Sequence, residues 1–525
     1  MVNDAARSFP WRDGADRIAP GTRHDARRDL GPSPRTKFGE YMSTSDSYRL
    51  RQRRTLGVAA LAVLAALSFG GTAAQAQTLE GALARAYQGN PNLNAQRAQV
   101  RATDEQVPQA LSGYRPTISA TVDAGAERTR TKGGNSALAG LGEVFPDNEG
   151  QRRTSIATSY PRGAGVVAEQ NLFNGFQTKN SVRRAESNIL GARETLRNSE
   201  QNVLFDAAQA YMDVLRDYAI LDVRRNNVQV LDEELRAARE RFQVGEVTRT
   251  DTAQAEAALQ GARSEVSASE AQLNTSRATY RQVVGEDIAR PRAAKSIDRL
   301  LPKSLAQAIG LSQAQHPAIL AALHGVDAAN LDIRVIEGEL LPSLNLQASF
   351  QRRYDPGSSV KNTTSGSIVG QLTIPIYEGG TVYSQARQAK ETAGQRRLEA
   401  DVSRDQVRQA VVSAWGQVEA TTAQIKSAQA QIEASQTALN GVREEAKVGQ
   451  RTTLDVLNAQ QDLLNARQSL ITAQRDRVVA TYALLSAVGW LTADRLGLRV
   501  ARYDPNVHYD QVRDKWIGLR TPDGR

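Results

Sequence analysis

The chain has 525 residues, 40% hydrophobic and only 5% aromatic, with a formal net charge of +9. It is long enough for several domains but poor in the rings that build large globular cores, and without cysteine it has no disulfides, thiolate metal sites or lipidated N-terminal cysteine. Residues 1–76 carry 12 Lys/Arg against 7 Asp/Glu, which leaves +4 on the remainder, so the charge gives no support to a nucleic-acid partner.

Residues 49–76 read as a secretory signal. Arg49, Arg51, Arg53 and Arg54 precede an apolar run from Leu56 to Phe69 that ends in Ala74-Gln75-Ala76. A basic region, a short apolar run and a small-residue cleavage site mark an export signal too short to span a bilayer permanently. The pattern predicts cleavage after Ala76 and a mature chain from Gln77. It also points to Met42 as the true start, with residues 1–41, polar and rich in Arg, Asp and Pro, an upstream artefact or a disordered leader.

A short helix is expected up to Asn90-Pro91, then a helix of about 22 residues that stops before Pro116, because Pro cannot continue it. The period then changes to two. Ile118, Ala120, Val122 and Ala124 alternate with polar residues, and Ala164, Val166, Ala168 and Leu172 do so again. This predicts a β-hairpin over about 116–172, with strands of about 10–12 residues and a loop over about 125–160.

From Gly175 the period becomes seven. Val182, Ile189, Leu196 and Val203 are followed, after a step of eleven, by Val214, Leu221, Val228, Leu235 and Phe242. A seven-residue apolar period favours a left-handed supercoil, and an eleven-residue step relaxes it locally. Roughly 70 residues of helix would span about 100 Å. The stripe is narrow and suits packing on other helices. The arm turns at Val244-Gly245, and a return helix runs to Gly285, completing a helical hairpin over 175–286.

All of this occurs twice. At an offset of 226, Leu79 matches Leu305, Asn90-Pro91 matches His316-Pro317, and Pro116 matches Pro342. At an offset of 204, Gly175 matches Gly379, Val244-Gly245 matches Val448-Gly449, Thr248 matches Thr452, Asp251 matches Asp455, and Gly285 matches Gly489. The second copy predicts a strand hairpin over 343–377, with its loop at 352–365, and a helical hairpin over 379–489. The expected organisation is thus a first repeat over 77–301, a second over 302–490, and a C-terminal tail over 491–525. The middle of that tail is expected to pack beside the helices without visible chemistry, and Thr521–Arg525 to be disordered.

Four strands with one apolar face cannot close a barrel, and a bilayer does not tolerate unpaired edges. Closure requires several chains, and three would supply twelve strands. The fold class expected is therefore an α+β membrane protein, internally duplicated. Its four strands per chain contribute to a trimeric barrel, the alternative at this point being a small soluble sandwich.

The succession of signal, short helices, strand hairpin, Leu172-Phe173-Asn174-Gly175, long arm and Val244-Gly245-x-x-Thr248 with Asp251, all repeated, resembles the TolC family of outer-membrane channels. The second copy adds Pro375-Ile376-Tyr377-Glu378-Gly379-Gly380 and the run Val448 to Gln460, and the match covers about 78–490. The resemblance implies a homotrimer with a twelve-stranded barrel in outer-membrane lipid above a twelve-helix periplasmic barrel. It implies a passive exit duct for type I protein secretion or multidrug efflux, opened by a periplasmic adaptor and served by an inner-membrane ABC or RND transporter. It places adaptor docking at two hairpin tips, Val244, Gly245 and Thr248 in one and Val448, Gly449 and Thr452 in the other. Arg451 matches the gate arginine and Asp251 the acid that holds it. Asp455 matches one of two acid rings at the constriction, and Asn458 occupies the other without charge. Ala446 stands at the gate tyrosine position, with Phe242 opposite. Asp251 and Asp455 also suit simple capping of the return helices, and the two roles are compatible.

His24, His316, His324 and His508 form no metal-ligand spacing, no phosphate-binding loop is present, and Gly140-Leu141-Gly142 fits a flexible connector. Neither cofactor nor catalysis is expected. The alternative function is a periplasmic coiled-coil adaptor or scaffold that does not span the membrane.

Overall fold

The computed structural model describes residues 77–133, 153–357 and 360–524. The leader, the signal segment and Gly140-Leu141-Gly142 lie outside the described residues.

In the first repeat, Thr78 caps α1 (Leu79–Gly89), and Asn90 caps α2 (Pro91–Asp104), accepting from the amides of Asn92 and Leu93. The single helix expected up to Pro116 is broken at Glu105, after which α3 (Gln106–Leu111) and a 3-10 turn (Ser112–Tyr114) follow. Pro108 is the cause, since without an N–H it cannot bond back to the Asp104 carbonyl. Next come β1 (Thr117–Ala124), β2 (Glu127–Gly133), β3 (Arg153–Ser159) and β4 (Arg162–Asn174), then α4 (Gln177–Gln243) and α5 (Arg249–Val284).

The second repeat has α6 (Leu305–Gln315), α7 (Pro317–Glu337), β5 (Ser343–Gly357), β6 (Val360–Thr373), α8 (Thr381–Lys447) and α9 (Thr453–Val488). Here α7 runs unbroken for 21 residues, since no internal Pro interrupts it. Corresponding helices agree in length: α1 and α6 have 11 residues, α4 and α8 have 67, α5 and α9 have 36. Among the described residues no helix is long and apolar enough to cross a membrane.

The strands form one antiparallel sheet in the order β1-β4-β5-β6, with β2 and β3 continuing the first hairpin as a two-stranded ribbon. The two repeats therefore meet through β4 and β5. Strands extend into both predicted loops, so the segment 352–365 is mostly ladder. Conversely, β6 stops at Thr373 and leaves Ile374 and Ile376 beyond it, because Pro375 has no N–H to donate. Leu172 drops out of the predicted alternation at a register shift between Asn171 and Phe173.

Register fixes the faces. Ile118, Ala168, Ala348 and Ile368 form one cross-sheet row, and Ala120, Val166, Phe350 and Gly366 the next. The opposite face carries Ser349 bonded to Ser367 at 2.9 Å, Gln347 donating to Glu169 at 3.0 Å, and Arg353 paired with Asp123 at 3.6 Å. One face is oily and the other wet.

The helical core is widest where the arms were expected to change coiling. Ile189, Leu196, Val214, Leu221 and Leu235 are buried as the seven-residue period predicts, whereas Phe242 is exposed at the tip. Between Val203 and Val214 the narrow stripe gives way to burial on most sides, including Leu204, Ala207, Ala208, Ala210 and Tyr211. There α4 is packed by α1, α2, α5 and α9. Each large apolar side chain removed from water contributes about 1.5–3 kcal/mol, so this belt anchors the long arm at mid-length.

The tail is also attached. After Gly489 the chain leads to α10 (Pro505–Val512), where buried His508 Nδ1 lies 3.0 Å from the buried Asp104 carboxylate on α2. This pair is the polar contact through which the middle of the tail packs beside the helices. Expected disorder from Thr521 is corrected by a turn from Gly524 N to Thr521 O and an Arg101–Asp523 ion pair at 3.6 Å, with Arg525 outside the described residues.

Candidate functional site

Each helical hairpin ends in the same device. At the first tip the amide of Gly245 bonds to Phe242 O and that of Glu246 to Arg241 O. This double bond pattern satisfies the last carbonyls of α4 and requires a left-handed residue, supplied by Gly245 at φ 81°. Thr248 then starts α5, its hydroxyl accepting from Asp251 N while Asp251 Oδ2 accepts from Thr248 N at 2.9 Å. The second tip repeats this with Gly449 at φ 77° and the reciprocal pair Thr452 and Asp455. Capping is thus observed for both acids. Between these locks Val244 is 72% exposed and Val448 70%.

Hydrogen bonds from the Thr248 side chain, then its backbone, hold the Asp251 carboxyl below the usual range, and Thr453 of the second tip contributes less. The Thr452 backbone, then its side chain, does the same for Asp455. Asn458 is exposed one turn further along α9. The expected link from Arg451 to Asp251 is not made within the chain: Arg451 Nε donates to Glu445 Oε2 at 2.9 Å. The local carboxylate, six residues back across the turn, is the partner within reach.

Contacts tying the two hairpins together were not foreseen from sequence. Arg443 on α8 pairs with Glu234 on α4 at 3.0 Å, and Gln460 on α9 donates to Asn227 on α4 at 3.3 Å. Nearer mid-length, Arg475 on α9 pairs with Asp213 on α4 at 2.7 Å. Burial raises the Asp213 pKa, while Arg475 and Arg216 oppose the rise. The only sequence signal for these struts was a polar residue inside or beside an apolar stripe.

The sheet is the second functional surface. Val122 is 84% and Ile368 79% exposed on the apolar face, and among the described residues β1 and β6 each pair with one neighbour. Such a face belongs in lipid, where every backbone group must still be paired.

An oily β-sheet rooted on helices about 100 Å long, all in duplicate, defines an outer-membrane channel subunit. The profile of the outer membrane efflux protein family matches residues 82–286 and 308–490, and the chain belongs to that family. It is 45% identical over 473 residues to outer membrane efflux protein BepC of Brucella suis biovar 1 (strain 1330), covering 89% of this chain and 97% of BepC. It is 24% identical over 463 residues to outer membrane protein TolC of Vibrio cholerae serotype O1, covering 84% and 98%. The Campylobacter jejuni CmeC outer membrane channel shares the fold, with TM-score 0.65 at 17% identity over 83% of this chain and 89% of that one. The protein is an outer-membrane exit duct extending into the periplasm, and the adaptor or scaffold alternative is not favoured. Its family consists of channels, which are not enzymes.

Proposed function

We propose that three copies of this chain close into one duct, β6 of each pairing with β1 of the next. The observation that carries this is the four-stranded sheet, open at both edges with its apolar face exposed. Three copies make twelve strands, within the range of outer-membrane barrels. The helical hairpins then surround a periplasmic tunnel that ends at the two tips of each chain. A periplasmic adaptor docks on those tips through Val244, Gly245 and Thr248, and Val448, Gly449 and Thr452. An inner-membrane ABC or RND transporter supplies the energy.

At the constriction three Asp455 carboxylates face one axis and attract cations, while Asn458 leaves the second ring uncharged. Arg451 and Asp251 act at the seam between neighbouring hairpins, Arg451 exchanging Glu445 for the neighbour's acid as the tips close. The cargo is an exported protein or a small toxic molecule, since a duct of this kind suits either. Purified protein should run as a heat-resistant trimer on gels and conduct in planar bilayers. A monomer without conductance overturns the proposal.

A further inference from the structure

The tail beyond residue 490 lies outside the family match and ends in a loop with an unusual surface. Ile517 is 91% and Leu519 103% exposed, and Trp516 is largely exposed beside them. This is no trailing end. Arg115 donates to the Lys515 carbonyl at 2.9 Å and stacks on the Trp516 ring at 4.7 Å. Lys515 Nζ donates to Arg520 O at 2.6 Å, closing the loop across Gly518, whose φ of 127° suits glycine. Beyond the loop, the Arg101–Asp523 pair holds the far end. A closed, doubly tethered loop thus holds three apolar side chains out from the protein.

Its height is fixed by Arg115, which precedes Pro116 and the first residue of β1, Thr117. The loop sits at the foot of the membrane sheet. Exposed aromatic residues Tyr114, Phe173 and Tyr377 mark the same level, where the strands meet the helices. Aromatic rings gather at the membrane–water interface, and cations there meet lipid phosphates.

We propose that Lys515–Arg520 is an interfacial anchor. It seats Trp516, Ile517 and Leu519 among the acyl-chain ends nearest the headgroups of the periplasmic leaflet, while Lys515 and Arg520 face lipid phosphates. It fixes the depth at which the duct sits and ties the tail to the bilayer.

The test uses the full chain reconstituted in phosphatidylethanolamine–phosphatidylglycerol vesicles whose acyl chains carry bromine at chosen depths. Trp415 and Trp490 are replaced by Phe, leaving Trp516 as the reporter in the chain from Gln77. Blue-shifted emission is expected, quenched at least twofold, and most strongly by the shallowest bromine. Arg115→Ala, which releases the loop, should remove most of that quenching, as should Ile517→Asp with Leu519→Asp. Should the double replacement not fold, the bromine-dependent difference between the unaltered protein and Trp516→Phe gives the same reading. Water-like unquenched emission would overturn the proposal. Blue-shifted but unquenched emission would also overturn it, since the loop would then lie against a neighbouring subunit.

Discussion

Arg443 on α8 meets Glu234 on α4 at 3.0 Å, joining the two helical hairpins of one chain close to their tips. Both side chains are partly buried, and Arg443 Nε has no hydrogen-bond partner among the described residues. A movement that separated the hairpins would break this pair. In a double-mutant cycle, Arg443→Ala with Glu234→Gln should show coupling of about 0.5–1 kcal/mol. The single replacement should raise the resting conductance in planar bilayers. Unchanged resting conductance would remove the pair from the restraints on the tips.

The carboxylate of Asp455 is both a helix cap and a candidate constriction charge, and one substitution separates these roles. Asp455→Asn keeps an oxygen to accept from Thr452 but removes the charge. Block of conductance by trivalent cations should weaken in this variant, while helix content measured by circular dichroism stays unchanged. The folded pKa lies below the ordinary 3.8, held there by Thr452. The stabilisation is therefore fully present above 3.8 and is lost as pH falls through the lower folded value. Cation block should persist to about pH 4 and fade only below it.

The two cap threonines offer a measurement independent of charge. Thr248→Ala and Thr452→Ala each remove the acceptor for the amide three residues on, at a cost of about 1 kcal/mol. Hydrogen exchange should quicken in the first turn of α5 or α9, with little change at mid-length. Uniform quickening along both helices would mean that the tips do not open as separate units.

Gly175 should resist substitution more than any helical glycine. It has φ 61°, and a Cβ there would stand 2.1 Å from the Gly338 carbonyl oxygen where the two repeats cross. Gly175→Ala should destabilise by more than the about 1–3 kcal/mol of backbone strain alone. Gly261→Ala, in open space on α5, should stabilise by about 0.5–1 kcal/mol. Thermal melts of the purified protein compare them directly.

Adjacent residues of β6 test which side of the sheet meets lipid. Ile368→Arg should lower barrel stability by about 2–4 kcal/mol, whereas Ser367→Arg, on the wet face, should alter ion selectivity with little loss of stability. Equal losses would contradict the assignment of faces.

Local pattern was sufficient for much of this. The repeat offsets, the seven-residue spacing from Val182 to Val203, the alternation from Ile118 to Ala124 and the Val-Gly turns each specify an element through neighbouring residues alone. Duplication and family membership follow from them. Tertiary structure decided what depends on distant partners. The residues around Ala207 and Tyr211 are buried on most sides because α1, α2, α5 and α9 converge there, which the period of α4 cannot encode. The join of β4 to β5, the Arg443–Glu234 and Asp213–Arg475 struts, and the docking of His508 on Asp104 couple positions far apart in sequence. Each exists only because the folded elements bring distant residues within reach of one another, a property no single segment possesses.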